Sequence, residues 1–128
     1  MIDWEVIQRM CGAPHVGHLA TLRADGSPHV APLWLSTHDQ EIWINTSEGT
    51  AKLANMRRDP RVALSVDAGT DPAFAISLRG TVVGETHEGA DAHDDELWQA
   101  YEGTDAPHLP GDVRVIVRIK PERVVVMG

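Results

Sequence analysis

Residues 113–120 read VRVIVRIK, in which Val113, Val115, Val117 and Ile119 alternate with Arg114, Arg118 and Lys120 among the positions between them. A period of two puts the apolar set on one face of an extended chain, so the stretch is predicted as a half-buried strand. The same signal recurs along the chain. Val16 to Leu22 and Pro28 to Ser36 read as two strands joined across RADGS, where Asp25-Gly26 is a hairpin turn. EIWINT (41–46) and RVALSVD (61–67) follow, then FAISLRGTVVGE (74–85), with Gly80 as the expected bulge, and RVVVM closes the chain. Helical spacing interrupts this pattern three times. Asp3 can cap a helix carrying Trp4, Ile7 and Met10 or Cys11, Thr50 to Arg58 forms a second helix stopped by Asp59-Pro60, and roughly Gly89 to Glu102 forms a third with Leu97, Trp98 and Tyr101 on its apolar side. Short antiparallel strands with few helices in 128 residues suggest one domain built as a closed barrel, which removes exposed sheet edges.

The formal net charge is -8, which argues against nucleic-acid or anionic-membrane partners, because the field around the molecule repels polyanions. There is one cysteine, no secretory leader and no apolar run long enough to span a bilayer, so the expected location is the cytoplasm. The seven histidines lack metal-ligand spacing, and no metal site is expected from them. The acidic segment EGADAHDDE (88–96) reads as a solvated helix face that could also gate a site.

Against that charge, four of the eleven basic residues, Lys52, Arg57, Arg58 and Arg61, fall within ten positions. They belong to the unit WINTSEGTAKLANMRRDP. Asn45, Thr46 and Ser47 end a strand, Gly49 relaxes the turn, and Thr50, Ala51 and Lys52 begin a helix. A helix start offers unpaired N–H groups and the positive end of the dipole, which together suit a phosphate. Hydroxyls and the Lys52 ammonium would complete an anion cradle. A second reading is open on spacing alone: Ser47 as a helix cap, Lys52 as a solvated side chain, and the arginines as counterions for Asp59 and Asp67 or as favourable charges at the helix C-terminus.

GHLATLRADGSPHVAPLWLS, followed by a strand, by SEGTAKLANMRRDPRVALSV and by a long strand containing RGTV, resembles the split-barrel flavin-binding superfamily typified by pyridoxamine 5'-phosphate oxidase. The likeness is strong from Val16 to Val83 and weaker over the last strands. Among its branches the chain is most similar to the small proteins that use the deazaflavin coenzyme F-420 (8-hydroxy-5-deazaflavin). The resemblance implies a six- or seven-stranded antiparallel split β-barrel with two or three short helices, and a homodimer with cofactor sites at the subunit interface. It further implies that Lys52, Thr50 and the backbone near Ala51 hold the cofactor phosphate, that Asn45, Thr46 and Ser47 line the approach, and that Pro32, Leu33 and Trp34 lie along the ring. Pro32 points the same way independently, since a strand proline marks an edge or irregularity where a ligand can come close. Trp34 also reads as a core or interface residue. Phe74 and Ser77 are candidates for the partner subunit's wall. Compared with true pyridoxamine phosphate oxidases, the chain stops soon after its final strand, which points away from vitamin-B6 oxidation. The aromatic that related chains carry after the last Arg-Val is missing from RVVVMG.

No Ser-His-Asp order, Cys-His pair or paired carboxylates stand out, so no catalytic residue is assigned, and Cys11 reads as core. A bound cofactor can carry the reaction in such a protein. The expected function is hydride transfer from reduced F-420 to an unsaturated or oxidised small molecule. FMN is the alternative cofactor, with Arg57, Arg58 and Arg61 as a candidate exit groove for the acidic tail that distinguishes F-420. A non-catalytic cofactor carrier or a haem-binding relative, with His29 or His87 as ligand, is the reading from another class.

Overall fold

The computed structural model describes residues 2–68 and 74–127. Its ten elements are α1 (Trp4–Cys11), β1 (Gly17–Leu22), β2 (Pro28–Leu33), β3 (Leu35–His38), β4 (Glu41–Ser47), α2 (Ala51–Arg58), β5 (Arg61–Asp67), β6 (Ala75–Thr86), α3 (Ala90–Glu102) and β7 (Arg114–Met127). The seven strands form one antiparallel sheet in the order β2-β1-β5-β6-β7-β4-β3, curled into a half-barrel. The fold is therefore the split barrel, mainly β with three helices. The hydrogen-bonded order remains open, which corrects the expectation of full closure. Its two edges, β2 and β3, are consecutive in the chain.

Alternation decides which residues enter the core. β4 buries Ile42, Ile44 and Thr46, β5 buries Val62, Leu64 and Val66, and β7 contributes Val115, Val117 and Ile119. Helix α1 adds Ile7, Met10 and Cys11 to the same cluster. The Asp3 carboxylate accepts the Val6 N–H at its start, as expected of a cap. Burial raises the Cys11 thiol pKa to about 12, so it serves as a small apolar side chain. Among the described residues, no helix is long and apolar enough to cross a membrane.

Two strand boundaries differ from the sequence expectation. Pro28 to Ser36 divides at Trp34 into β2 and β3, because the Leu35 N–H goes to the Tyr101 hydroxyl at 3.2 Å and not to a ladder partner. That hydroxyl donates in turn to the His15 carbonyl at 2.8 Å. Periodicity along the strand carries no sign of a phenol that arrives from sixty-six residues away. Conversely, RVIVRIK and RVVVM form one continuous strand through Pro121, while Val113, expected on the buried face, lies outside the strand and is exposed. β4 pairs with β7 only over Arg114–Ile119, so Pro121 lies past that ladder and opposite Gly80, where the β6 register shifts.

Gly80 is the bulge that the sequence suggested, and it sits where a side chain has no room. A Cβ there would lie 2.7 Å from the Lys120 carbonyl oxygen and 2.9 Å from Ile119 Cγ2. Gly80→Ala is expected to destabilise the fold by about 1–3 kcal/mol through displacement of β7, measured by urea denaturation at fixed protein concentration.

Candidate functional site

β4 ends at Ser47, and α2 begins four residues later, which brings Thr46, Ser47, Thr50 and Lys52 into one corner. Thr50 occupies the N-cap position with extended backbone, yet its side chain makes no capping bond. Instead Thr46 and Thr50 hydroxyls pair at 2.9 Å and Thr50 donates to the Ser47 carbonyl at 3.1 Å. The first-turn amides of α2 are thus left without a side-chain acceptor. Ala51 is exposed beside them.

Lys52 is half-buried and, among the described residues, makes no hydrogen bond or ion pair. Burial lowers its pKa, and repulsion from Arg114 lowers it further. An unpartnered cation, held partly out of water beside a second cation and an uncapped helix start, is a set of donors with no acceptor. The donor set fits a phosphate.

The other basic residues of the cluster have different fates. Arg57 is gripped by Glu48 at 2.7 Å and by Glu85 at 2.6 Å, and Arg61 by Asp59 at 2.7 Å. The hydrogen bonds from Arg57 and His87 hold the Glu48 pKa down at about 2. Arg58 donates to the Leu22 carbonyl and to Asn55 Oδ1. Counterion use therefore accounts for Arg57 and Arg61, although the acid opposite Arg57 is Glu48 with Glu85 and not Asp59 or Asp67.

Behind the corner lies a residue that sequence reasoning treated only as the polar half of an alternation. Arg114 donates to Asn45 Oδ1 at 2.7 Å and to Ser47 Oγ at 2.8 Å, and it faces Asp112 at 3.3 Å and Asp94 at 3.4 Å. Ser47 in turn donates to Asp112. Asn45 is fully engaged as well: its Nδ2 donates to the Ala90 carbonyl at 2.9 Å and meets His93 Nδ1 at 3.0 Å. Asn45 thus supports the corner from within the protein.

These contacts assign the proton on His93. Arginine can only donate and a carbonyl can only accept, so Asn45 Oδ1 must face Arg114 and Nδ2 must face His93. His93 Nδ1 is therefore the acceptor and Nε2 carries the hydrogen, which points at Ser36 Oγ 2.9 Å away. Ser36 lies 3.1 Å from His38 Nε2. The fold brings His38, His93 and Glu96 together with ligand-capable atoms within 4.8 Å of one another, a grouping that spacing along the chain concealed. The fixed tautomer makes it a hydrogen-bonded chain, with a proton on the His93 atom that a metal would need.

Pro32, Leu33 and Trp34 form a second group, at the break between the two sheet edges. Pro32 is exposed on edge strand β2, as its missing N–H requires, and Leu33 and Trp34 are half-buried. Trp34 stacks on Tyr101 at 4.9 Å and meets Trp98 edge-on at 5.1 Å, so its ring packs on α3. Helix α3 joins the groups: Ala90 and His93 touch Asn45 near its start and Tyr101 touches Trp34 near its end, roughly 12 Å apart for eight residues of helix. The acidic segment lies in this helix and its approach, with Asp94 buried against Arg114. Of the candidate haem ligands, His87 is bound to Glu48 at 2.8 Å, while Nδ1 of His29, on β2, has no partner among the described residues.

Sequence comparison matches residues 4–128 to the family of pyridoxamine 5'-phosphate oxidase. The chain belongs to that family. Among solved structures, this member of the pyridoxamine 5'-phosphate oxidase family is similar to an F-420 reductase, with 27% identity and a TM-score of 0.84 over 92% of this chain and 94% of the other. It is also similar to a conserved hypothetical protein of Mycobacterium tuberculosis, with 28% identity and a TM-score of 0.77 over 99% of this chain and 84% of that one. A FAD-binding protein of Mesorhizobium loti shares the fold, with 24% identity and a TM-score of 0.71 over 98% and 94% of the two chains.

Burial lowers the His93 pKa to about 4, and the nearby charges of His38 and Arg114 act in the same direction. Below its ordinary value of 6.5 the unfolded chain takes up a proton that the folded family member refuses, so stability is lost as pH falls from 6.5 towards 4. Urea midpoints taken near pH 7 and near pH 5 are expected to fall more for the wild-type protein than for His93→Gln, which lacks this titration.

Proposed function

We propose that this protein is an oxidoreductase that binds reduced coenzyme F-420 and reduces an unsaturated or oxidised small molecule. The observation that carries the reading is Lys52: a half-buried ammonium with no acceptor among the described residues, set against the open amides of α2. The similarity to an F-420 reductase over nearly the whole chain supports the choice of cofactor. Lys52 with the amides near Ala51 would hold the phosphate, and the Thr46–Thr50 pair would fix the turn beneath it. Arg114, through Asn45 and Ser47, would keep the end of β4 from moving. Pro32, Leu33 and Trp34 would border the ring. When bound, the group would supply a hydride, with the matching proton taken from water. In the proposed assembly two copies form a homodimer with the cofactor sites at the subunit interface.

FMN is the second reading, and a specific observation favours keeping it. Of the three arginines of the expected exit groove, Arg57 and Arg61 are already neutralised by acids of this chain and only Arg58, bound to the Leu22 carbonyl and Asn55 Oδ1, keeps an uncompensated charge, which weakens the argument from the acidic tail of F-420. The cradle accepts either ribityl phosphate.

Titration of the purified protein with F-420 and with FMN, followed by fluorescence, decides between them. Lys52→Ala is expected to weaken the preferred cofactor about tenfold or more while leaving the melting temperature within a degree or two, since no native partner loses its contact. Unchanged affinity in the variant would remove the cradle from the account. Binding followed by no reoxidation with any acceptor would make the protein a carrier.

A further inference from the structure

The turn that joins β4 to α2 carries an acid beside the donors of the Lys52 corner. Glu48 is the one acid in residues 42–58, two positions before the Thr50 N-cap and four before Lys52. An acid so close to a helix start is drawn to the positive end of the dipole and to its unpaired N–H groups. Glu48 does not go there. Its N–H donates to the Val113 carbonyl at 2.9 Å, and its carboxylate turns instead to Arg57, in the last turn of α2. Gly49 follows at φ +91, with nothing within 4 Å of where a Cβ would sit, so the main chain of the turn does not by itself fix where Glu48 points.

Arg57 supplies the hold. Helical side chains lean towards the N-terminus, so a long one in the last turn reaches back along α2 to the loop before it. Its Nη1 and Nη2 donate to Glu48 Oε1 and Oε2, each at 2.7 Å, as a parallel pair. The other edge of the same guanidinium faces Glu85 near the end of β6, with Nη2 2.6 Å and Nε 3.1 Å from Oε1. His87 Nε2 approaches Glu48 Oε2 at 2.8 Å from the connection between β6 and α3. A lone exposed ion pair holds little, but paired contacts on both edges of one guanidinium, with a fourth group behind, fix the direction of a carboxylate. Both Glu48 oxygens are thereby taken, and Arg57 has no edge left for a ligand.

Resting on the reading of Lys52 and the α2 amides as a phosphate cradle, we infer that Arg57 is a positioning residue for that cradle: it clamps Glu48 against β6 and so keeps the carboxylate of the cradle's own turn out of the place of the phosphate. Arg57 meets no ligand itself. Released, the carboxylate is tethered a few residues from Lys52 at a high effective concentration, and it competes with any phosphate that arrives from solution. The effect belongs to the charge of Glu48 and not to the shape of the turn.

The test is a charge cycle on the full-length protein with Arg57→Gln, Glu48→Gln and the double variant, read by titration with F-420 and with FMN and, without ligand, by NMR titration of the Lys52 side chain. Arg57→Gln is expected to weaken the tighter-binding cofactor about fivefold. It should also raise the Lys52 pKa, since a carboxylate then stands near the ammonium and Arg57 itself is not among the charges that shift Lys52. Glu48→Gln should bind at least as tightly as the wild type. The double variant lacks the same clamp but also the competing charge, so it should regain wild-type affinity and the wild-type Lys52 titration. A double variant that binds as weakly as Arg57→Gln means that the clamp only shapes the turn, and overturns the inference. An unchanged Lys52 titration in Arg57→Gln overturns it as well. Lys52→Ala separates the two readings: wild-type affinity there removes the lysine from the cradle, whereas weakened binding there beside an unaffected Arg57→Gln removes the clamp alone.

Discussion

A sheet that curls without closing must do something with its two free edges. Here the edges are neighbours in sequence, separated by one residue, Trp34, and the chain must cross between them where the ladder is missing. The backbone groups exposed by that crossing are met by the Tyr101 hydroxyl, which takes the Leu35 N–H and reaches the His15 carbonyl. A phenol is suited to this because it both donates and accepts while its ring covers the apolar gap, here by stacking on Trp34. Helix α3 is therefore the seal of the half-barrel, and its far end is tied to Asn45 by the Ala90 carbonyl and His93.

The corner around Lys52 follows from this arrangement by contrast. Most of the cations near it are compensated within the chain: Arg57 by two glutamates, Arg61 by Asp59, Arg114 by Asp94 and Asp112. Their neutralisation makes them structural, since a cation already paired in a native geometry gains little from a new anion. What distinguishes Lys52 from its neighbours in the sequence cluster is the lack of any acceptor among the described residues, a property of the fold and not of composition.

Much of this was legible in the sequence where the governing physics is local. Period-two alternation gave β1, β4, β5 and the first half of β7, Asp25-Gly26 gave the first hairpin, and Asp59-Pro60 gave the end of α2. Features that depend on distant partners were hidden. The break at Trp34 requires Tyr101, the role of Arg114 requires Asn45, and the grouping of His38 with His93 requires α3 to lie over β3, all separated by more than fifty residues. The openness of the barrel was hidden for the same reason, because strand count constrains sheet size but not whether the last pair of edges bonds. Asn45 and Trp34, expected beside a ligand, prove to be engaged first with the protein itself.

The hydrogen bonds from Arg114 to His38 all run in one direction. Each group in the run gives its proton onward: Arg114 to Asn45, Asn45 to His93, His93 to Ser36, with the Ser36 proton left for His38. To pass a proton inward from His38, every member would have to reverse, and Asn45 cannot rotate while Arg114 and the Ala90 carbonyl hold its two ends. The run is rigid in sense as well as in place. Polarity is thus built into the floor of the Lys52 corner, where the amide of Asn45 is clamped with its oxygen towards Arg114 and its nitrogen towards α3.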